Sequence, residues 1–309
     1  MKSMKKLAVL ALAAIWCLWF VGCGDGNGGT GNPDSPSDTG VLASVEAVIE
    51  YLTNERELGA HAVNPVPLAV KIDGGEWPSL FSAVKEKERY VALDLSQCFN
   101  VPPRFTSSIG ANQNKYIVSL ALPEGITRID NSGFYGCTSL AGIALPASLY
   151  WIGIGAFYGC ISLTEIALPE WMEYIAYSAF YGCTSLAKIA LPKRMIDTSI
   201  GETTFYYCIS LTKIDLPEGL EYIGRAAFRE CTGLTEIVLP EGLIRISREA
   251  FYGCHNLANV TCLAARPPEL NGGQQFEDTA SNFVIRVPAA SVAAYKAAWP
   301  EWAGRISGF

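Results

Sequence analysis

From residue 134 onward the apolar positions recur on a beat of 23. Phenylalanine stands at 134, 157, 180, 205, 228 and 251, at intervals of 23, 23, 25, 23 and 23. The unit reads I-x-x-x-A-F-x-x-C-x-x-L-x-x-I-x-L-P, as in "FYGCTSLAGIALP" at 134 and "FYGCISLTEIALP" at 157, with a decayed copy, "FYGCHNLANVTCL", at 251. Self-similarity at a fixed period of this size marks a solenoid, in which one unit cannot close a core but stacked units can. Within the unit, residues 163–169 end in period-two alternation stopped by a proline. That predicts a short strand with Ile166 and Leu168 inward and Ala167 outward, ended by a residue that has no N–H to give a ladder. "PEG" at 123–125, 217–219 and 240–242 then turns the chain, and a second inward pair such as Leu220 and Ile223 returns it to the next Phe. The interval of 25 marks a two-residue insertion between Met195 and Ile200, which a solenoid accommodates in a loop.

The flanks follow other periods. Val41, Leu42, Val45, Val48, Ile49 and Leu52 fall on one helical face of 41–57, with Gly59 as a stop. "VPLAVKI" (66–72) reads as a strand, and residues 76–88 as a short helix with Pro78 near its start. These suit a cap over an otherwise open end; a separate binding domain is the alternative. "AASVAAYKAAWPEWAGRI" (289–306), interrupted at Pro300, would cover the other end. The pattern therefore predicts an α/β repeat solenoid with short parallel strands on one face, a small N-terminal α/β cap and a C-terminal cap helix. Its parts are a capping region at 41–98, repeats at 99–263 and a C-terminal cap at 264–309.

The first 40 residues have a different character. Three lysines, an apolar run from Leu7 to Val21 and Gly22-Cys23 give a secretory signal peptide over 1–22, too short for a typical membrane span. Phe20-Val21-Gly22-Cys23 resembles a bacterial lipobox, with Phe20 where that pattern usually has Leu. The resemblance implies acylation of Cys23, and the Gly/Asn/Asp/Ser/Pro-rich stretch that follows to residue 40 suits a flexible tether. The net charge is −7; without residues 1–22, three lysines are lost and 20 basic residues face 30 acidic, near −10. Such a chain has no general field for nucleic acid or anionic lipid, so contact with the membrane is expected through the lipid alone.

The repeat signature resembles the BspA-like leucine-rich repeats of bacterial surface proteins over about residues 116–263. "ERYVALDLSQC" (88–98) looks like a degenerate first strand, and residues 284–306 are similar to the tail that often closes such proteins. The resemblance implies a surface protein, in some members an adhesin for host matrix or plasma proteins or for other bacteria.

Four columns of the repeat could carry chemistry. Cys137, Cys160, Cys183, Cys208, Cys231 and Cys254 share the inward register. Zinc wants paired ligands at short spacing, and no C-x-x-C is present. Copies ~5 Å apart are within disulfide range, but a buried ladder of small apolar thiols is the expected role. Tyr135, Tyr158, Tyr181, Tyr206, Arg229 and Tyr252 follow each Phe. They form either a protein-binding stripe, Tyr and Arg being enriched at binding hot spots, or a self-stacking ladder that shields the arc. On the strand face Ala121, Ala144, Ala167, Ala190, Asp215, Val238 and Thr261 make a shallow column, uncharged in its first half. Beside it run Ser119, Gly142, Glu165, Lys188, Lys213, Glu236 and Asn259.

No catalytic constellation stands out. His61 and His255 are the only histidines, the one Gly-rich stretch lies in the tether, and Ser139, Ser162, Ser185 and Ser210 are fixed by the repeat. The expectation is a monomeric, lipid-anchored surface protein without enzyme activity or cofactor, facing outward and binding an unidentified protein ligand through the solenoid. A periplasmic or envelope scaffold with partners from the same cell, or a carbohydrate-binding module, are the alternatives.

Overall fold

The structure is a computed structural model that describes residues 41–54, 61–193 and 195–309. The signal peptide, Cys23, the tether and the predicted helix stop at Gly59 lie outside the described residues. A column of parallel strands runs along the solenoid. Val66–Val70, Val91–Asp94, Ile117–Ala121 and Gly142–Ala144 form its first sheet. Glu165–Ala167 pairs with Lys188–Ala190, Ile166 opposite Ile189. Glu236–Leu239, Asn259–Cys262, Val284–Val287 and Ile306–Gly308 make the third group. The rungs thus reach ahead of the first copy of the motif, where Lys71 N donates to Leu42 O at 2.9 Å at the edge of the first sheet, and end at the last residues of the chain.

The second inward pair of the motif forms strands of its own. Arg104–Phe105, Arg128–Ile129, Trp151–Ile152 and Tyr174–Ile175 make one sheet, and Ser199–Ile200, Tyr222–Ile223, Arg245–Ser247 and Glu269–Asn271 another. The remaining arc is a chain of tight turns, and it too bonds from repeat to repeat. Phe157 N donates to Ala179 O at 2.8 Å, and Gly159 N to Tyr181 O at 2.7 Å.

One strand spacing per repeat stacks like on like. The rings of Phe134, Phe157, Phe180, Phe205, Phe228, Phe251 and Phe276 follow one another at 5.3–5.6 Å, tilted by 14° or less. Phe105 extends the stack at 4.6 Å, and all eight rings are buried. Both ends of this column are closed by aromatic side chains. Helices α1 (Val45–Asn54) and α2 (Trp77–Lys87) pack together at the N-terminal end, and α2 sets Trp77 and Phe81 against Phe105 at 5.9 and 6.0 Å. Helix α3 (Val292–Ala298) and a 3₁₀ turn (Pro300–Arg305) bring Trp299 and Trp302 to 6.2 and 5.9 Å from Phe276.

The helix expected over 41–57 is shorter. Ser44 Oγ accepts from Ala47 N at 3.1 Å, an N-cap that starts the helix after it, so Val41–Leu42 is strand instead. Ile49, placed on the apolar face by its spacing, is 37% exposed. The helix over 76–88 spans Trp77–Lys87 with Pro78 in its first turn, and the C-terminal helix does break at Pro300.

The two-residue insertion separates the strands but not the turns. Tyr174–Ile175 and Ser199–Ile200 belong to different sheets, and Lys213–Asp215 forms no strand between Lys188–Ala190 and Glu236–Leu239. Across the same step, Ser178 N, Phe180 N and Gly182 N donate to Glu202 O, Thr204 O and Tyr206 O.

The turn arc needs left-handed backbone. The residue two after each Phe has φ between +59° and +71°; four of the six repeats use glycine there, with Tyr207 and Glu230 in the others. A Cβ on Gly182 would meet only Gly159, at 3.9 Å from its Cα, so its cost would be conformational rather than steric. Gly182→Ala is expected to destabilise by about 1 kcal/mol, and Phe180→Ala by about 3–5 kcal/mol through the cavity left in the ring column. Equilibrium urea denaturation checks both; a Phe180→Ala chain as stable as the parent would contradict the central place given to the stack.

Candidate functional site

The tyrosine column is a continuous stack on the turn arc. Tyr135, Tyr158, Tyr181 and Tyr206 lie ring on ring at 4.9, 4.4 and 4.8 Å, with interplanar angles of 18°, 4° and 5°. Arg229 takes the next place, its guanidinium carbon 5.7 Å from the Tyr206 ring and 4.5 Å from that of Tyr252. All six side chains are half-buried. Their faces cover one another, so edges are what solvent meets. Burial in the stack, with the neighbouring phenols of Tyr158 and Tyr206, pushes the Tyr181 hydroxyl up to about 12. Arg229 is held from below by Glu249, a buried carboxylate that also takes Arg248 Nε at 2.8 Å. The ion pairing explains why an arginine can stand in an aromatic column: its charge has a fixed counter-ion and its plane two rings to lie on.

The cysteine column sits directly inside this arc. Cys137, Cys160, Cys183, Cys208, Cys231 and Cys254 are fully buried free thiols. Each does more than fill space. Cys160 Sγ donates to Phe134 O at 3.1 Å, Cys183 to Phe157 O at 3.1 Å, Cys208 to Phe180 O at 3.2 Å, Cys231 to Phe205 O at 3.0 Å and Cys254 to Phe228 O at 3.1 Å. Cys137 reaches Ala111 O in the same way. The thiol is thus a small donor that a methyl group could not replace, tying each turn to the one before it. Burial pushes the thiols of Cys137 and Cys254 up to about 12, and those of Cys160, Cys183, Cys208 and Cys231 well upward too.

On the strand face, Ala121 and Ala144 are half-buried, Ala167 and Ala190 exposed, and Val238 is an exposed apolar side chain. Glu165 and Lys188 lie opposite one another in register, and Lys213 pairs with Glu236 at 3.2 Å. Ser162 Oγ donates to Thr138 O at 2.7 Å, a link between repeats. His255 Nδ1 lies 3.0 Å from Asp278 O, and His61 is exposed. Among the described residues no group of three or more His, Cys, Asp or Glu side chains is placed to hold a metal ion, and no helix is long and apolar enough to cross a membrane.

Sequence reasoning passed over one more column. Arg104, Arg128, Trp151 and Tyr174 head successive strands of the second column, where Arg128 lies 4.2 Å over Trp151 and Trp151 stacks on Tyr174 at 4.1 Å. The signal was present in the spacing of 23, but residue types differ from copy to copy, so no repeated letter drew attention to it.

Residues 108–197 and 198–268 match the BspA type leucine rich repeat region, in 6 copies. The match takes in more than half of the chain, which belongs to this family. No curated protein matches it. Among solved structures, a leucine-rich repeat protein from Bacteroides ovatus ATCC 8483 is 22% identical, with 56% of each chain covered and a TM-score of 0.38. The T. pallidum leucine rich repeat protein is 29% identical over 60% of this chain and 76% of that one, with a TM-score of 0.38. A leucine rich cell surface protein from Faecalibacterium prausnitzii A2-165 is 16% identical over 72% of this chain and 78% of its own, with a TM-score of 0.30.

Burial of the thiols has two measurable consequences. At pH 8 a thiol with a pKa of about 12 is ionised to only about 1 part in 10⁴, so the six cysteines are expected to resist a thiol-specific reagent until denaturant is added. Because the folded pKa lies above the ordinary 9.0, the unfolded chain loses these protons first. The stabilisation is therefore whole below pH 9 and falls as pH rises toward 12, by about 1.4 kcal/mol per pH unit for each such thiol. Urea midpoints between pH 8 and 11 should drop less steeply in Cys137→Ala than in the parent.

Proposed function

We propose that the chain is a lipid-anchored, non-enzymatic surface protein that binds other proteins through the flank of its solenoid. The observation that carries the reading is the stack from Tyr135 to Tyr252 with Arg229 within it. Each ring is already fixed by its neighbours, so a partner meeting the exposed edges would order little side-chain freedom on binding. Tyr and Arg are also the residues that concentrate binding energy at interfaces. The family's surface proteins and the signal-like first 23 residues support export. Glycan recognition fits less well, because sugars stack on ring faces and these faces are filled by one another.

Two measurements test the proposal. Protease shaving of intact cells should remove the protein from blots; full protection would put it in the periplasm and leave the scaffold with partners from the same cell. Immobilised matrix and plasma proteins should then show saturable binding that survives moderate salt. Changing Tyr158, Tyr181 and Tyr206 together to Ser is expected to weaken that binding by 10-fold or more, on the order of 2 kcal/mol. Binding unchanged in a folded triple variant would sink the stripe as the contact surface.

A further inference from the structure

The second strand column carries a groove of about 450 Å³ whose walls include Arg104, Arg128, Asp130, Trp151, Ile154 and Tyr174. We infer that it is a docking site for an acidic peptide segment of a partner protein, taking one Asp or Glu side chain beside an apolar one.

The charges in the groove are unequally matched. Arg104 grips both oxygens of Asp130, with Nε at 2.9 and 3.2 Å and Nη2 at 2.7 Å. Arg128 has no such grip. Its Nε is sealed from solvent without a hydrogen bond, and the nearest carboxylate oxygen, Asp130 Oδ1, stands 3.8 Å away. The guanidinium nevertheless rests over Trp151, its Cζ 4.2 Å from the ring centroid, and the side chain is 32% exposed. One cation is thus placed against the ring and short of hydrogen-bonding partners, on a chain whose net charge is −7. A single carboxylate answers it through the exposed part of the side chain, the sealed Nε lying out of a ligand's reach.

The other wall decides the rest of the ligand. Trp151 has Arg128 on one face and Tyr174 on the other, so neither face is open to a sugar ring. What remains is ring edge and Ile154, an exposed aliphatic side chain. Those surfaces receive a Leu, Val or Phe side chain. A phosphate polymer would bring several charges to one unmatched cation while Asp130 repelled them.

The inference rests on the reading of the solenoid as a protein-binding module but uses a different surface from the tyrosine stack. The test is an array of 12-residue peptides, each with one Asp or Glu flanked by Leu, Val or Phe, beside their Asn and Gln counterparts, probed with the full chain. Acidic peptides should be retained and their amide counterparts held at least about tenfold more weakly. Arg128→Gln and Ile154→Asp should each reduce retention about tenfold, while the triple tyrosine variant leaves it unchanged. Ile154 is exposed, so its variant keeps the fold, and circular dichroism checks both. No retained peptide, equal retention of acids and amides, or indifference to Ile154→Asp would overturn the groove. So would retention abolished by heparin or polygalacturonate that themselves bind in an Arg128-dependent way, which would make it a glycan site. Matrix-protein binding that depends on the tyrosines but survives Arg128→Gln would leave the flank reading standing while the groove fell.

Discussion

One repeat advances the chain by one strand spacing, and that distance decides nearly everything else. Backbone hydrogen bonds fix it on the strand columns and on the turn arc alike. A separation near 5 Å is also close to the contact distance of aromatic rings, so any side chain that recurs every 23 residues meets its own copy. The Phe rings at 5.3–5.6 Å and the tyrosines at 4.4–4.9 Å are consequences of that coincidence. The same rise puts five of the six thiols within reach of the preceding Phe carbonyl. Inward, the spacing builds a core; outward, it lines up whatever the repeat leaves there.

The repeat made most of this architecture legible. A period of 23 with fixed Phe, Cys, Leu and Ile names the buried positions, and Pro marks where strands stop. Three things escaped. The strands at Val66–Val70 and Val91–Asp94 fall where the sequence puts them, but they carry no Phe-Cys signature, so the motif does not show that Val66–Val70 is a rung of the same parallel column rather than part of a separate cap. The hydrogen bond of each thiol depends on a carbonyl 26 or 28 residues earlier, a relation that composition does not express. The Arg104–Tyr174 column has regular spacing but changing letters. Repetition reveals what every copy shares, while recognition depends on what single copies do differently.

The two candidate surfaces illustrate that division. The tyrosine stack is made of repeated residues and could serve the fold alone, since each ring shields its neighbour and the turn beneath it. Arg229 complicates that account: it needs the buried Glu249, which it shares with Arg248, to sit where a tyrosine would sit unaided. The groove is made of unrepeated residues, two arginines, an aspartate and a tryptophan. Nothing in the solenoid's construction calls for them at these places.

The insertion after Met195 interrupts both strand columns yet leaves the turn arc bonded across it. The rings of Phe180 and Phe205, and of Tyr181 and Tyr206, bridge the same step. Mechanically the molecule is stitched along the turn arc at this level, while beside the second strand column the bond from Asp197 N to Glu173 O, at 3.1 Å, still crosses it. A load along the solenoid would therefore be carried across that level chiefly by the aromatic seam, with the strand side the first to gape.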